Sequence, residues 1–540
     1  MSSESDKVAF ENSVEPYESS VLFKDKAWTY ITDSTSNGGN FTGQLQFDLN
    51  TLSSQSQWVD LSQSYIQFPV KVSIKNTSGS SQTPATVSAL ATALKNGYHQ
   101  FVDSVQIVLD GSTVQTSQIF ENIATNYKIL SEWSHDEYAK YGPSLGISLD
   151  TYTSSLNNAT IAGLIPQYKG VDLTGANNTA LVSRQYSQNV DVTATFASSS
   201  ILGQQAKIIG KSQVQASASA VASQADAYVQ FVLATIRLKD ISPVLSGLPM
   251  MRNLKGFIYV NYNSATTTLT TNASGAYTAN IPTSNIYGRC NPVLLTSGFT
   301  PAAGVANTWQ LTCEISGVQS ANLTSAQPTI SYARLVAPYY VANPAIDSAL
   351  SMKKTFRYLE RNVTTFNLTA GQNFTVTLSP GISNPKRVLL FPYFTGGTGA
   401  LANLISNPLN SPFDTCPSTT SPFSALKDIQ ILVGNVPMFQ NPVQQDYDLF
   451  LQEIAQQGLD GGLNSQANSG LLSQQDYDTL YRYVTCDVGR RLESEDGSSK
   501  SVIVQCTNAT QANMTVIAMI FYEKEITVDT SMGKVSQGRS

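Results

Sequence analysis

One pattern of residues occurs twice in this chain of 540 residues, and the duplication limits the folds that the chain can adopt. An apolar run at residues 105–109 precedes Asp110 and Gly111, and apolar residues at helical spacing follow: Ile119, Phe120, Ile123, Tyr127 and Leu130. The run at 429–433, 324 positions later, is followed in the same way by Tyr447, Phe450, Leu451 and Ile454. This spacing predicts a strand, a turn and a helix in each copy. The sequence therefore predicts one β-rich unit used twice.

Two weaker echoes accompany this repeat. Phe68-Pro69 is followed 323 positions later by Phe391-Pro392, and residues 232–236 resemble residues 516–520 at a shorter offset of 284. We attribute the shorter offset to a longer insertion in the first half. The last echo places the end of each unit just beyond the matching runs.

Length and composition agree with two β-rich units. A chain of this length exceeds one hydrophobic core and fits two domains of about 250 residues. Short β-type runs separated by Gly, Pro, Asn and Ser dominate, which predicts an all-β fold. Charged residues make up only 13% of the chain, about half the usual share. Such a surface suits a protein held against other protein, and it suits extracellular adhesins equally well.

The repeat and the composition together predict a division of the chain. Its parts are a flexible N-terminal arm at 1–17, a first unit at 18–245, a second unit at 246–528 and a flexible C-terminal tail at 529–540. Each unit carries an insertion after its helix, long at about 143–227 and short at about 457–480. The long insertion retains apolar residues, so we predict a folded, protruding loop.

Charge and hydropathy bear on partners and location. The net charge is −6, and the first twenty residues contain five acidic residues and one lysine. The absence of a basic arm argues against direct binding of nucleic acid by this chain. We find no secretory signal and expect synthesis in the cytosol. The apolar run at 516–522 is far shorter than the roughly 20 residues that span a bilayer.

The sequence offers little chemistry for catalysis. The chain has two histidines, His99 and His135, and none of the common hydrolase or phosphate-binding motifs. A glycine-rich run at 397–402 lacks the surrounding βαβ unit of a dinucleotide site. The five cysteines form no Cys-x-x-Cys pair, which favours buried free thiols. We therefore predict no catalytic, cofactor-binding or metal site, and a protein that is not an enzyme.

Aromatic residues in or beside strand runs are interpreted as packing residues. This set comprises Trp28, Tyr30, Trp58, Tyr340, Phe391 and Phe394. A core role is favoured over a stacking platform for sugars or bases. The lack of interleaved basic residues argues further against a platform for bases.

Four stretches carry a resemblance to a known family: residues 26–33, residues 236–243 with 256–261, residues 333–340, and Phe391-Pro392. In their order, and together with the repeat, they span most of the chain. The chain resembles the double jelly-roll major capsid proteins of tailless icosahedral DNA viruses, and within them the polinton-like virus and virophage group.

The resemblance implies a fold, an assembly and a location. Each unit is expected to be an eight-stranded jelly roll of two facing sheets, with a short helix after a late strand. Three copies are expected to form a pseudo-hexagonal homotrimer that tiles an icosahedral shell around a DNA genome. The implied partners are other copies, a penton protein, minor capsid proteins and an internal membrane. The implied location is the virion, after synthesis in the host cytoplasm or a virus factory.

Two other classes of protein remain alternatives. A cell-surface adhesin or surface-layer protein of β-sandwich domains shares the composition, but it predicts a secretion signal and repeats of about 100 residues. A carbohydrate-active enzyme on a jelly roll needs two carboxylates about 5–9.5 Å apart, and the sequence offers no such pair.

Overall fold

The structure, a computed structural model, describes most of the chain. The described residues are 22–35, 38–41, 43–53, 57–82, 92–95, 97–147, 160–161, 165–166, 212–216, 220–271, 277–280, 286–295, 308–323, 330–344, 350–396, 424–456, 470–479, 481–489 and 498–538. The arm predicted at 1–17 and the glycine-rich run at 397–402 lie outside these residues, as does most of the insertion predicted at 143–227.

Eight strands form the first barrel. They are β1 (Phe23–Thr32), β2 (Gln44–Asp48), β3 (Tyr65–Asn76), β4 (Val102–Leu109), β5 (Ser112–Gln115), β6 (Asp226–Arg237), β7 (Gly256–Tyr262) and β8 (Arg334–Ala342). One sheet has the order β1-β8-β3-β6, and the facing sheet has the order β2-β7-β4-β5. All of these neighbours are antiparallel.

Eight further strands form the second barrel. They are β9 (Lys353–Leu368), β10 (Asn373–Ser383), β11 (Pro385–Gly396), β12 (Leu426–Val433), β13 (Val436–Pro437), β14 (Val484–Asp487), β15 (Ser499–Asn508) and β16 (Asn513–Asp529). Their sheets have the orders β9-β16-β11-β14 and β10-β15-β12-β13. These are the orders of the first barrel with every number raised by eight. The predicted pair of eight-stranded jelly rolls is therefore confirmed.

The first barrel carries most of the additional strands. Thr308–Ile315 pairs with β3 and leads through Ser264–Thr271 to Tyr277–Asn280 and Ile286–Tyr287. The other short strands are Trp58–Val59, Thr92–Leu94, Thr160–Ile161, Ile165–Pro166, Ser212–Ala216 and Val293–Leu295. In the second barrel, Val535–Gln537 pairs with β16.

The helices are short. Those in the described ranges are α1 (Asn50–Ser53), α2 (Glu121–Glu132), α3 (His135–Tyr141), α4 (Leu238–Ile241), α5 (Pro243–Gly247), α6 (Tyr447–Gln456) and α7 (Gln474–Thr479). Single 3₁₀ turns occur at Leu61–Gln63, Tyr98–Phe101 and Pro143–Leu145. The predicted helix after a late strand is present in both barrels as α2 and α6. In the described part of the chain, no helix has the length and apolar character needed to cross a membrane.

The two hairpins of the repeat share one turn geometry. Asp110 and Gly111 join β4 to β5 with φ values of 48° and 76°, and Gly434 and Asn435 join β12 to β13 with values of 59° and 67°. A two-residue hairpin with both φ angles positive favours Gly, Asn and Asp, because these residues tolerate the left-handed region. The offset of 324 thus aligns two structurally equivalent hairpins.

The division predicted at residue 245 is wrong, because β7 and β8 both belong to the first barrel. β7 pairs with β2 and β4, and β8 pairs with β1 and β3. The echo of 232–236 in 516–520 matched β6 with β16, whereas the counterpart of β16 by sheet order is β8. β6 and β8 both border β3, so both carry buried apolar residues. The barrels divide between Ala342 and Lys353.

The Phe-Pro echo is also not a structural equivalence. Phe68 points into the core of the first barrel, whereas Phe391 points out of the second barrel, away from the core that contains Leu390. Side chains alternate between the faces of a strand, so an odd shift in alignment reverses every side chain.

The C-terminal segment is ordered beyond the end predicted for the second unit. Asp529 ends β16, and the chain then turns so that Val535 pairs with Val528. The Thr530 hydroxyl donates to the Leu350 carbonyl at 2.8 Å. The prediction of a flexible tail at 529–540 is therefore wrong through residue 538.

Candidate functional site

The outer face of the second barrel is apolar and is covered by two helices. Alternate residues of β11 and β16 point away from that barrel's core: Leu389, Phe391, Tyr393, Ile517, Met519 and Phe521. They pack against Phe120, Ile123, Tyr127 and Leu130 of α2 and its approach, and against Tyr447, Phe450, Leu451 and Ile454 of α6. Because α2 belongs to the first barrel, this contact joins the two barrels. We call the contact of α2 with this sheet the junction.

Aromatic rings and hydrogen bonds fix the position of α2 at the junction. The rings of Tyr127 and Tyr483 meet edge to face with centroids 5.4 Å apart. The Asn126 amide donates to the Tyr483 hydroxyl at 3.0 Å, and the Tyr127 hydroxyl donates to Thr485 at 3.3 Å. Burial raises the pKa of Tyr127, so the phenol stays neutral and keeps its proton for this bond.

Buried ion pairs form one edge of the junction. The Arg361 Nη1 of β9 lies 2.6 Å from Glu121 Oε2 of α2, and both side chains are at least nine-tenths buried. Glu360 accepts from the backbone amide of Thr116 at 2.8 Å, and it pairs with Lys524. Although burial alone raises the pKa of Glu360, its bonds from Lys524 and Thr116 outweigh burial and lower that pKa. Removal of one partner from such a pair leaves an uncompensated buried charge.

The two barrels also share part of one hydrophobic core. Tyr358, Ile526, Val528 and Val535 of the second barrel belong to the cluster that fills the first barrel. The backbone amide of Arg252 donates to the Thr530 carbonyl at 2.9 Å. The pair of barrels is therefore one packed unit.

The outer face of the first barrel is different. Trp28 and Tyr30 alternate on β1 with the buried Ile31, and they are 51% and 63% exposed. Trp28 lies 5.8 Å from the Tyr65 ring, and the Lys26 ammonium lies 5.5 Å from the Trp28 ring. We define the open face of the first barrel as Lys26, Trp28, Tyr30, Tyr65, Arg334 and Tyr340.

The prediction that the aromatic residues pack in the core is wrong for Trp28 and Tyr30, which are exposed. Trp58, Phe391 and Phe394 are buried, and Tyr340 is half-buried. Strand periodicity finds both faces of a sheet, but it does not distinguish a face that another element covers from one that stays open.

Helix α6 leaves one side uncovered. It corresponds to α2 at an offset of 327, which aligns Phe120 with Tyr447 and Tyr127 with Ile454. By this offset Glu121, Asn122 and Thr125, all buried, correspond to Asp448, Leu449 and Gln452. Asp448 and Gln452 are exposed and Leu449 is half-buried. We call these three residues the open side of α6.

In the described part of the chain, the histidines and cysteines do not form a catalytic group. His99 is buried, and the loss of solvation lowers its pKa to about 3 despite a hydrogen bond with Asn126. His135 begins α3 on the surface. Cys290, Cys313, Cys486 and Cys506 are buried and unbridged, and Cys416 lies outside the described residues. Within the described ranges, no group of three or more His, Cys, Asp or Glu side chains could hold a metal ion.

The strand order defines the chain as a double jelly-roll protein. No family model and no curated protein matches its sequence. Among solved structures, the mavirus major capsid protein is similar with a TM-score of 0.49 and 11% identity, over 95% of this chain and 90% of that one. A structure of the Sputnik virophage gives 0.49 and 11%, over 96% of this chain and 89% of that one. The Faustovirus major capsid protein gives 0.40 and 10%, over 94% and 90%.

Proposed function

We propose that this protein is the major capsid protein of an icosahedral DNA virus, with a structural rather than a catalytic role. The observation that carries this proposal is the pair of jelly rolls with identical strand order, joined by a buried junction. One subunit then offers two similar but non-identical barrels. Three such subunits around an axis supply six barrels, which approximate a hexagon that tiles a shell.

The junction suggests how the ring closes. Within one chain, a helix of the first barrel covers the outer face of the second barrel. This is a head-to-tail contact, in which different surfaces meet. If the second barrel of one copy covers the open face of the first barrel in the next copy, similar contacts alternate around the ring. The ring closes after three copies.

The two open surfaces have complementary chemistry. The open face of the first barrel combines Trp and Tyr rings with Arg334, residue types that dominate binding energy at protein interfaces, and Lys26 adds a second positive charge. The open side of α6 carries Asp448, next to the exposed Asp446. Since opposite charges steer and orient partners, we propose a second copy of this chain as the occupant of the open face.

Further partners and the location follow from the same proposal. A penton protein fills the five-fold vertices, and minor capsid proteins and an internal membrane are further partners. The protein resides in the virion after synthesis in the host cytoplasm or a virus factory. Direct contact with the genome is not part of this role.

The mass of the purified protein in solution tests the proposal. Size-exclusion chromatography with light scattering should give about three times the 58.2 kDa of one chain, and negative-stain images should show a hexagonal outline. A stable monomer that binds glycans or cell surfaces would instead favour the adhesin.

A further inference from the structure

A cavity of about 280 Å³ lies at the junction. Helix α2 and the segment before it form one wall, with Thr116, Glu121, Tyr127 and Lys128 among the lining residues. The second barrel forms the opposite wall. Its lining residues include Arg357, Glu360, Arg361, Arg387 and Phe521. Asp240 of α4 and residues of α5 also line the cavity.

Arg387 lines this cavity without a hydrogen-bond acceptor for two of its nitrogens. The residue is 8% exposed, and its Nε and Nη1 atoms are buried and unpartnered. Its guanidinium carbon lies 4.3 Å from the centre of the Phe521 ring and 5.9 Å from that of Tyr127. The rings hold the planar group in place, but they supply no acceptor for its N–H groups. The Nε of Arg361, which lines the same cavity, is also unpartnered.

Most acidic residues that line the cavity form ion pairs with cations other than Arg387. Glu121 pairs with Arg361, Glu360 pairs with Lys524, and Asp240 pairs with Arg237 at 2.7 Å. Glu132, at the end of α2, also lines the cavity and forms no ion pair within the described ranges. Among the described residues, no carboxylate forms an ion pair with Arg387, and two of its nitrogens have no partner.

We propose that this cavity binds a small oxyanion, with Arg387 as its principal ligand and the free Nε of Arg361 as a second donor. A guanidinium presents its N–H groups in a fixed fork that matches two oxygens of a phosphate or a carboxylate. A buried arginine is costly without such a partner, because its lost hydration is not replaced. Both arginines belong to the second barrel, so the anion binds on that wall of the cavity and faces α2.

Thermal unfolding of the full-length protein tests this site. Wild type is titrated with sodium phosphate or sodium acetate, against sodium chloride at equal ionic strength. We expect phosphate to raise the Tm by about 2–5 °C at concentrations well above its Kd, because it binds the folded state alone. Arg387→Met should lose this rise, and Arg387→Lys should retain part of it. A larger rise with acetate than with phosphate would identify a carboxylate as the ligand.

Arg252→Met provides a matched control. Arg252 also stacks on a ring, Trp58 at 5.2 Å, and it does not line the cavity, so this variant should keep the full rise. Calorimetric titration of wild type with phosphate gives an independent reading, with about one ion bound per chain. The proposal is overturned if neither anion shifts the wild type, or if Arg387→Met shifts as much as Arg252→Met does.

Discussion

The outer faces of the two barrels have the same place in the fold and opposite surroundings. In the second barrel, Phe391 and Met519 are buried beneath α2 and α6. In the first barrel, Trp28 and Tyr30 are more than half exposed. Two sheets with the same strand order therefore differ in their outer faces: helices of the same chain cover one face, and the other is exposed. Equal strand order thus does not determine whether another element covers the outer face of a sheet.

The largest loss of stability is expected when a substitution at the junction leaves a buried charge without its partner. Arg361→Met leaves Glu121, whose side chain is 4% exposed, without its cation, and we expect a loss of about 3–5 kcal/mol in the free energy of unfolding. Arg357→Met on the same strand is the control, because its side chain is 59% exposed and its ion pairs contribute about 1 kcal/mol or less. Urea denaturation measures both, and equal losses would contradict a buried junction.

A substitution on the open face should weaken association more than it weakens folding. Trp28→Ala removes an exposed ring, and we expect association of copies to weaken by about 2 kcal/mol, roughly 30-fold. Its effect on the stability of the monomer should be smaller, about 1 kcal/mol, because about half of the side chain is exposed and its ring contacts Tyr65. Sedimentation across a dilution series measures the first quantity. Val436→Ala, at a site 57% exposed on the second barrel, is the control. Unchanged association of Trp28→Ala would show that the open face is not an interface.

Charge reversal on α6 should have a smaller effect that depends on salt. Asp448→Lys replaces attraction to Lys26 and Arg334 with repulsion, and we expect association to weaken by about 1 kcal/mol at low ionic strength and less in 0.5 M salt. Asp136→Lys is matched, since both residues are exposed and second in a helix. Both variants should lose equal helix stability. A loss of association by both variants alike would contradict the pairing.

Low pH should weaken the junction slightly. The pKa of Glu360 is lowered in the folded protein, so its stabilisation is full above the ordinary value of 4.5 and is lost as the pH falls through the folded value. The difference in Tm between wild type and Glu360→Gln should therefore shrink between pH 6 and pH 3. A difference that is constant with pH would mean that the Glu360 charge does not stabilise the junction.

The features that could be predicted from the sequence are those set by residues close together in the chain. The hairpins at 105–115 and 429–437 and the helices α2 and α6 follow from local period and turn chemistry, so the offset of 324 identified them. The end of the first barrel depends on the pairing of β8 with β1, across more than 300 positions. Local patterns do not contain that information, and β6 resembles β16 because both border a central strand.

The junction could not be predicted for a related reason. Helices α2 and α6 have the same apolar spacing, yet α2 contacts the sheet of the other barrel as well as its own barrel. Glu121 and Arg361 are 240 positions apart, and nothing nearby marks them as a pair. The exposure of Trp28 and Tyr30 was missed because an aromatic residue on a strand is equally suited to a core and to an interface.

The pairing of β1 with β8 also sets an order of events on the ribosome. Phe23 lies opposite Ala342 in the register of the two strands, so β1 lacks its neighbour until nearly two thirds of the chain has emerged. During that interval the edges of β1 and β3 are open to other chains, and such long-range pairing is slow. The second barrel, by contrast, completes its sheets within residues 353–537. Co-translational chaperones are therefore expected to act mainly on the first barrel.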